Sequence, residues 1–204
     1  MSRPGKIVCV GRNYREHAKE LGNDVPSAPL LFLKPPSAVI AALAPIVLPA
    51  ASQRVDFEGE VGIVIGATLL RATSAQCVAG IRGVAALNDV TARDLQKSDG
   101  QWTRAKGFDT FCPIGPEWAG VPPLDAITVV TRVNGEEKQR GHTGDLVFAI
   151  PDLLSYISHV MTLEPGDVVA TGTPAGVGPL HAGDVVEVEL VGYSTVSNPV
   201  EAEA

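Results

Sequence analysis

The chain has 204 residues and a formal net charge of −7, with 45% hydrophobic and 19% charged residues. That length suits one domain with a sizeable core, and the composition excludes global disorder. Few aromatics and no Lys/Arg block argue against nucleic-acid binding, so an anionic partner would have to meet positive charge concentrated locally.

From the N-terminus, KIVCVG (6–11) reads as a short buried strand. RNYREHAKELG (12–22) follows as a helix, with Asn13 as cap, Glu16 as its capping-box partner and Gly22 as the stop. The opening residues lack the apolar core of a signal peptide, and AVIAALAPIVLPAA (38–51) is too short and proline-broken to span a membrane. Cys9, Cys77 and Cys112 are scattered, with no CxxC, and read as reduced thiols of a cytoplasmic protein.

The segment 23–40 is loop and short strand, punctuated by four prolines, and APIVLP (44–49) is another short strand. VDFEGEVGIVIG (55–66) reads as one long strand. Alternation puts Asp56, Glu58 and Glu60 on one face and Val55, Phe57, Val61 and Ile63 on the other. Residues 74–83 suggest a modest helix, and GVAALNDVTARDLQ (83–96) runs from strand into helix. Asn134-Gly135 between alternating runs marks a hairpin. The clearest later helix starts near Pro151 and Asp152, with Leu153, Leu154, Ile157, Val160 and Met161 at helical spacing. DVVATGTP (167–174) and DVVEVELVG (184–192) close the chain as strands, each fed by a Gly-Asp turn. The whole is a β-rich α+β domain spanning residues 1–204.

Three like charges in a row face water, share a proton or hold a cation. Asp89 directly follows an apolar run and needs a partner if buried. Together with Glu58 and Glu60 it would supply an all-oxygen set, which suits Mg²⁺, Mn²⁺ or Ca²⁺ better than zinc. Other chemistries find less support. There is no G-x-S-x-G, nothing marks Cys112 as a thiolate, and TGTPAGVG lacks the Lys-Ser/Thr ending of a phosphate loop. His142, His159 and His181 show no ligand spacing; His159, amid an apolar helix, reads as structural.

Six segments, RNYREHAKELG, LFLKPPSAV, DFEGEVGIVIG, NDVTARDLQ, AKGFDTFCPIGP and VATGTPAGVG, occur in that order. Together they resemble the fumarylacetoacetate hydrolase family in its short single-domain branch, over nearly the whole chain. The resemblance implies a mixed β-sheet roll with a few short helices. It implies Glu58, Glu60 and Asp89 as metal ligands, with Mg²⁺ or Mn²⁺ as cofactor, and leaves Asp56 outside that set. It further implies Arg93 and Gln96 along the substrate site, Lys106 beside the metal, and Thr173 on the substrate carboxylate. His17 and Glu20 match a lid-helix pair that activates water. Arg12, on the approach to that helix, is counted with the substrate-binding residues.

Plainer readings stand beside these. Arg93 would pair with Asp89 across one helical turn, Lys106 would be a surface lysine, and His17 with Glu20 an exposed pair of a few tenths of a kcal/mol. The activity the resemblance implies is metal-dependent cleavage of a C–C bond in acylpyruvates. Oxaloacetate decarboxylation comes next and meta-cleavage isomerisation/decarboxylation third. The expected partner is a small anionic 2-oxo acid, and the expected assembly a homodimer. An inactive metal-dependent dicarboxylate-binding protein, or a β-domain with a solvated acidic strand, are the alternatives outside enzymology.

Overall fold

In the computed structural model, which describes residues 3–20, 22 and 24–203, short strands carry most of the architecture. The first half runs β1 (Ile7–Gly11), α1 (Arg15–Glu20), β2 (Leu30–Lys34), β3 (Val39–Ile40), β4 (Ile46–Leu48), β5 (Val55–Phe57), β6 (Gly59–Ile65), α2 (Ser74–Ala79), β7 (Ile81–Asn88) and β8 (Thr91–Ala92). The second runs α3 (Arg93–Asp99), α4 (Thr103–Gly107), β9 (Cys112–Pro113), β10 (Trp118–Ala119), β11 (Thr128–Val133), β12 (Glu136–His142), α5 (Ile150–Val160), β13 (Val168–Ala170), β14 (Gly178–Pro179), β15 (Val185–Leu190) and β16 (Ser194–Ala202). This is the β-rich α+β class that the sequence predicts. No helix among the described residues is long and apolar enough to cross a membrane.

A six-stranded sheet has the order β10-β7-β6-β13-β1-β2, and a five-stranded sheet the order β12-β11-β15-β16-β4. Both are mixed: β1 runs parallel to β13, and β4 parallel to β16. A small sheet, β14-β5-β8, adjoins them, and β3 pairs with β9. Period-two alternation explains how one sheet serves two cores. Val8, Val10, Val61, Ile63 and Val169 join Val129, Val188 and Leu190 of the five-stranded sheet, with Leu153, Leu154 and Ile157 of α5 in the same cluster. Each of those helix side chains contributes about 1.5–3 kcal/mol by leaving water. The intervening residues Ile7, Cys9, Val64 and Val168 pack on the other face, with Ala38, Cys112 and Ile114.

The segment 55–66 departs from expectation. It is two strands in different sheets, broken at Glu58. Val55 and Phe57 pack in one cluster with Phe111 and Val186, while Val61 and Ile63 pack in another. The break has a local cause. Glu58 N donates to the Asn88 side chain at 3.0 Å, and Glu58 O accepts from Asp89 N at 2.8 Å. The chain thus leaves one sheet and enters the next beside Asp89.

Asn13 does not cap the first helix. Its side chain accepts from Phe148 N and donates to Phe148 O and Thr171 O, tying three distant segments. The hairpin at Asn134-Gly135 forms, with both residues at positive φ (54° and 81°), as a two-residue type I′ turn requires. The closing strand β16 falls outside the sequence reading, because Ser, Asn and Pro obscure its alternation. Its inward polar groups are satisfied: Ser194 donates to Pro116 O and accepts from Ala86 N, and Asn198 donates to Ala41 O and Ala44 O. His159 lies on the exposed side of α5, with its ring against Ser155 O.

Candidate metal centre and substrate cavity

The break at Glu58 determines what the acidic row becomes. Glu58, Glu60 and Asp89 each offer an oxygen, and these oxygens lie within 4.8 Å of one another, all three residues buried. Between the two glutamates only glycine fits. An ideal Cβ on Gly59 would sit 1.9 Å from the Thr131 hydroxyl oxygen.

Cations hold two of the three carboxylates. Glu58 accepts from Arg93 Nη2 at 2.6 Å and from Lys106 Nζ at 2.7 Å. Asp89 accepts from Lys34 Nζ at 2.7 Å and from Lys106 Nζ at 2.6 Å. Burial alone would raise the Glu58 pKa, but Lys106 and Arg93, with His17 nearby, hold it well below the usual range. The same two carboxylates hold the Lys106 ammonium charged against its burial. Glu60 differs. Among the described residues it takes part in no ion pair, and its Oε2 accepts only a backbone bond, from Gly172 N at 2.7 Å. Burial, then Asp89 and Glu58 beside it, push its carboxyl well above the ordinary range.

A divalent cation fits this donor set. A carboxylate 2% exposed, facing two more and lacking a cationic partner, is an expensive arrangement unless positive charge joins it. The buried cluster contains four carboxylates (Asp56, Glu58, Glu60, Asp89) against Lys34, Arg93 and Lys106. Counted as ionised, and with Arg54 on Asp56, its charges balance; a doubly positive ion would make it net positive and ready for an anion. All-oxygen donors favour Mg²⁺, Mn²⁺ or Ca²⁺.

The group opens on a cavity of about 450 Å³, whose wall includes Arg12, His17, Phe32, Gln96, Trp102 and Thr173. His17 is 5% exposed, and its Nδ1 lies 3.3 Å from Glu20 Oε2. Glu20 also accepts from Gly176 N at 3.1 Å, so α1 is docked on the loop after β13. Thr173 donates to Gly59 O and accepts from Gln139 Nε2, and Gln139 in turn accepts from Gly59 N. This closed ring fixes the loop against Gly59, between the two glutamates.

The family profile described as fumarylacetoacetate (FAA) hydrolase C-terminal matches residues 6–201. This chain belongs to the fumarylacetoacetate hydrolase family. It is 42% identical to the oxaloacetate tautomerase of Escherichia coli K12 over 198 residues, covering 93% of this chain and 90% of that protein. It is also 42% identical to the mitochondrial oxaloacetate decarboxylase of Dictyostelium discoideum, with the same coverage. A crystal structure of 2-hydroxyhepta-2,4-diene-1,7-dioate isomerase from Mycobacterium marinum superposes with a TM-score of 0.91 at 45% identity, over 99% of this chain and 76% of that one.

The fold of this family member brings every candidate site residue named from the sequence to one cavity: Arg12, His17, Glu20, Glu58, Glu60, Asp89, Arg93, Gln96, Lys106 and Thr173 all line it. The plainer readings do not survive. Lys106 is buried, and Arg93 pairs with Glu58 and Asp56 rather than with Asp89. His17 is buried rather than on an exposed helix face. One participant escaped the sequence reading, and a second was left open by it. Lys34 is 1% exposed and holds Asp89; Asp56, which the sequence left either behind the ligands or in water, is buried. Cys112 lies among apolar side chains, where burial pushes its thiol up to about 12, and plays no part in the cavity.

Proposed function

We propose that this chain is a divalent-metal enzyme acting on small 2-oxo acids, with oxaloacetate as first substrate and enol–keto tautomerisation and decarboxylation as its reactions. One observation carries the reading: a buried trio of carboxylates, with Glu60 in no ion pair among the described residues, opens on a cavity whose wall also carries Arg12, Arg54, Arg93, Lys97 and Lys106, with Glu20 beside His17 as its other carboxylate. The named relatives give the choice of oxaloacetate its support. Glu58, Glu60 and Asp89 would hold the ion. When bound, it supplies Lewis acidity toward the keto oxygen of a chelating 2-oxo acid.

The chain's own groups do the rest. Lys106 and Arg93, both buried, place fixed positive charge where the enolate oxygen develops. Arg12 faces the cavity and binds a substrate carboxylate, and Thr173, its hydroxyl proton held by Gly59 O, shapes the wall beside it. His17, with Glu20 orienting its ring, carries a proton to or from the substrate carbon. Loss of carbon dioxide needs only the charge sink; tautomerisation also needs the proton carrier.

A second reading is favoured by the His17–Glu20 pair. A buried imidazole held by a carboxylate can activate water, and attack on the distal carbonyl of an acylpyruvate would then break the C–C bond. The test is a panel with Mg²⁺ or Mn²⁺ against chelator-treated protein: decay of the enol of oxaloacetate, pyruvate from oxaloacetate, and pyruvate from an acylpyruvate. Metal-dependent turnover of oxaloacetate above acylpyruvate supports the first reading, and the reverse order supports the second. Tight dicarboxylate binding with no turnover makes the chain a binding protein. A cytoplasmic homodimer belongs to the same proposal, with light scattering as the check on assembly.

A further inference from the structure

Asp56 lies outside the carboxylate trio, yet it is fully buried and both its oxygens are engaged. Arg54 grips it twice, Nε to Oδ1 at 2.9 Å and Nη2 to Oδ2 at 3.1 Å. Arg93 Nε adds a bond to Oδ2 at 3.0 Å. The Arg93 guanidinium gives its Nη1 to Gln96 at 2.7 Å and its Nη2 to Glu58 at 2.6 Å. All three of its nitrogens are therefore committed, and only one of them reaches Glu58.

That division matters for a cation. A guanidinium laid flat on a carboxylate binds through two parallel bonds and would compete for both Glu58 oxygens. With its Nε edge taken by Asp56, Arg93 touches only Oε1, and Asp56 draws off part of its charge. We infer that Asp56 is a positioning residue for the metal centre: it holds Arg93 edge-on to Glu58 Oε1 and so leaves Oε2, shared only with Lys106, able to ligate. Arg54, its side chain 53% exposed, opposes that pull by sharing Asp56. The inference rests on the metal reading above.

The two flanking substitutions should act in opposite directions, as general damage to the fold would not. The readout is the Kd of Mn²⁺ by calorimetry on chelator-stripped protein at fixed ionic strength. Asp56→Asn frees Arg93 to close on Glu58 and weakens binding about tenfold, the usual size of an outer-shell effect. Arg54→Met leaves Asp56 to Arg93 alone and tightens binding roughly threefold, as for a partly screened charge contact. In an Arg93→Met background the Asp56→Asn effect shrinks below about twofold, since the mediator is gone. If Asp56→Asn does not fold, the half-exposed Arg54→Met still carries the sign. Unchanged affinity in Asp56→Asn, weaker affinity in Arg54→Met, or a full Asp56→Asn effect without Arg93 would each overturn the inference while leaving the metal centre intact. A wild-type protein that takes up no Mn²⁺ would remove the metal reading and this inference together.

Discussion

Lys34 donates to Asp89 Oδ1 at 2.7 Å, joining two buried residues 55 positions apart in sequence. The same ammonium donates to Val90 O at 3.0 Å. An ammonium kept from water at this position neutralises a candidate ligand and fixes its rotamer from behind.

Lys34→Met therefore leaves Asp89 with Lys106 alone and orphans a backbone carbonyl. Breaking one partner of a buried pair costs about 3–5 kcal/mol, and the loss should be of that order in the metal-free protein. Saturating Mg²⁺ should recover part of it, because a divalent ion also neutralises Asp89. Urea unfolding with and without the ion checks both statements. A loss below about 1 kcal/mol, or an equal loss in the two conditions, would contradict them.

Gly59 has a neighbour where its side chain would stand, the Thr131 hydroxyl. That hydroxyl is itself buried, with no partner among the described residues. Gly59→Ala should destabilise by about 1–3 kcal/mol, the range for overpacking a tight core. Thr131→Ala alone should cost little, and the double variant should recover most of the Gly59→Ala loss. Additive losses would show that the strain lies in the backbone rather than in this contact.

His17→Ala separates the reactions at the site. Steps that need a proton carrier, tautomerisation or water attack, should fall by about 10²–10⁴-fold. Decarboxylation should persist at a large fraction of its rate, because it draws on the charge sink alone. Parallel assays on one preparation decide it. Equal loss of all activities would mean that α1 serves only to close the cavity.

Part of this site was legible from short-range pattern, and the rest from the family resemblance. Glu58 and Glu60 are two apart, and Asp89 ends an apolar run, so local pattern raised the three as candidates but left water and a cation equally open; the resemblance of six segments to the family supplied the ligand set and the other wall residues. The type I′ turn and the Gly-Asp turns before β13 and β15 follow from backbone chemistry, with Gly166 and Gly183 both at positive φ. Lys34 was hidden because β2 inverts its own hydropathy: Leu33 is 47% exposed while Lys34 turns inward. The break at Glu58 was hidden because its cause, the Asn88 side chain, lies on another strand. Burial of His17 was equally out of reach. A six-residue helix shows the same pattern docked or solvated, and what docks it is Gly176 N on Glu20.

The central claim is that Glu58, Glu60 and Asp89 hold one divalent ion, and Mn²⁺ calorimetry on wild type and Glu60→Gln tests it most directly. One site per chain is expected in the wild type and, in the variant, loss of that binding together with all 2-oxo-acid turnover. Equal Mn²⁺ affinity in the two proteins, or undiminished turnover in Glu60→Gln, would contradict it.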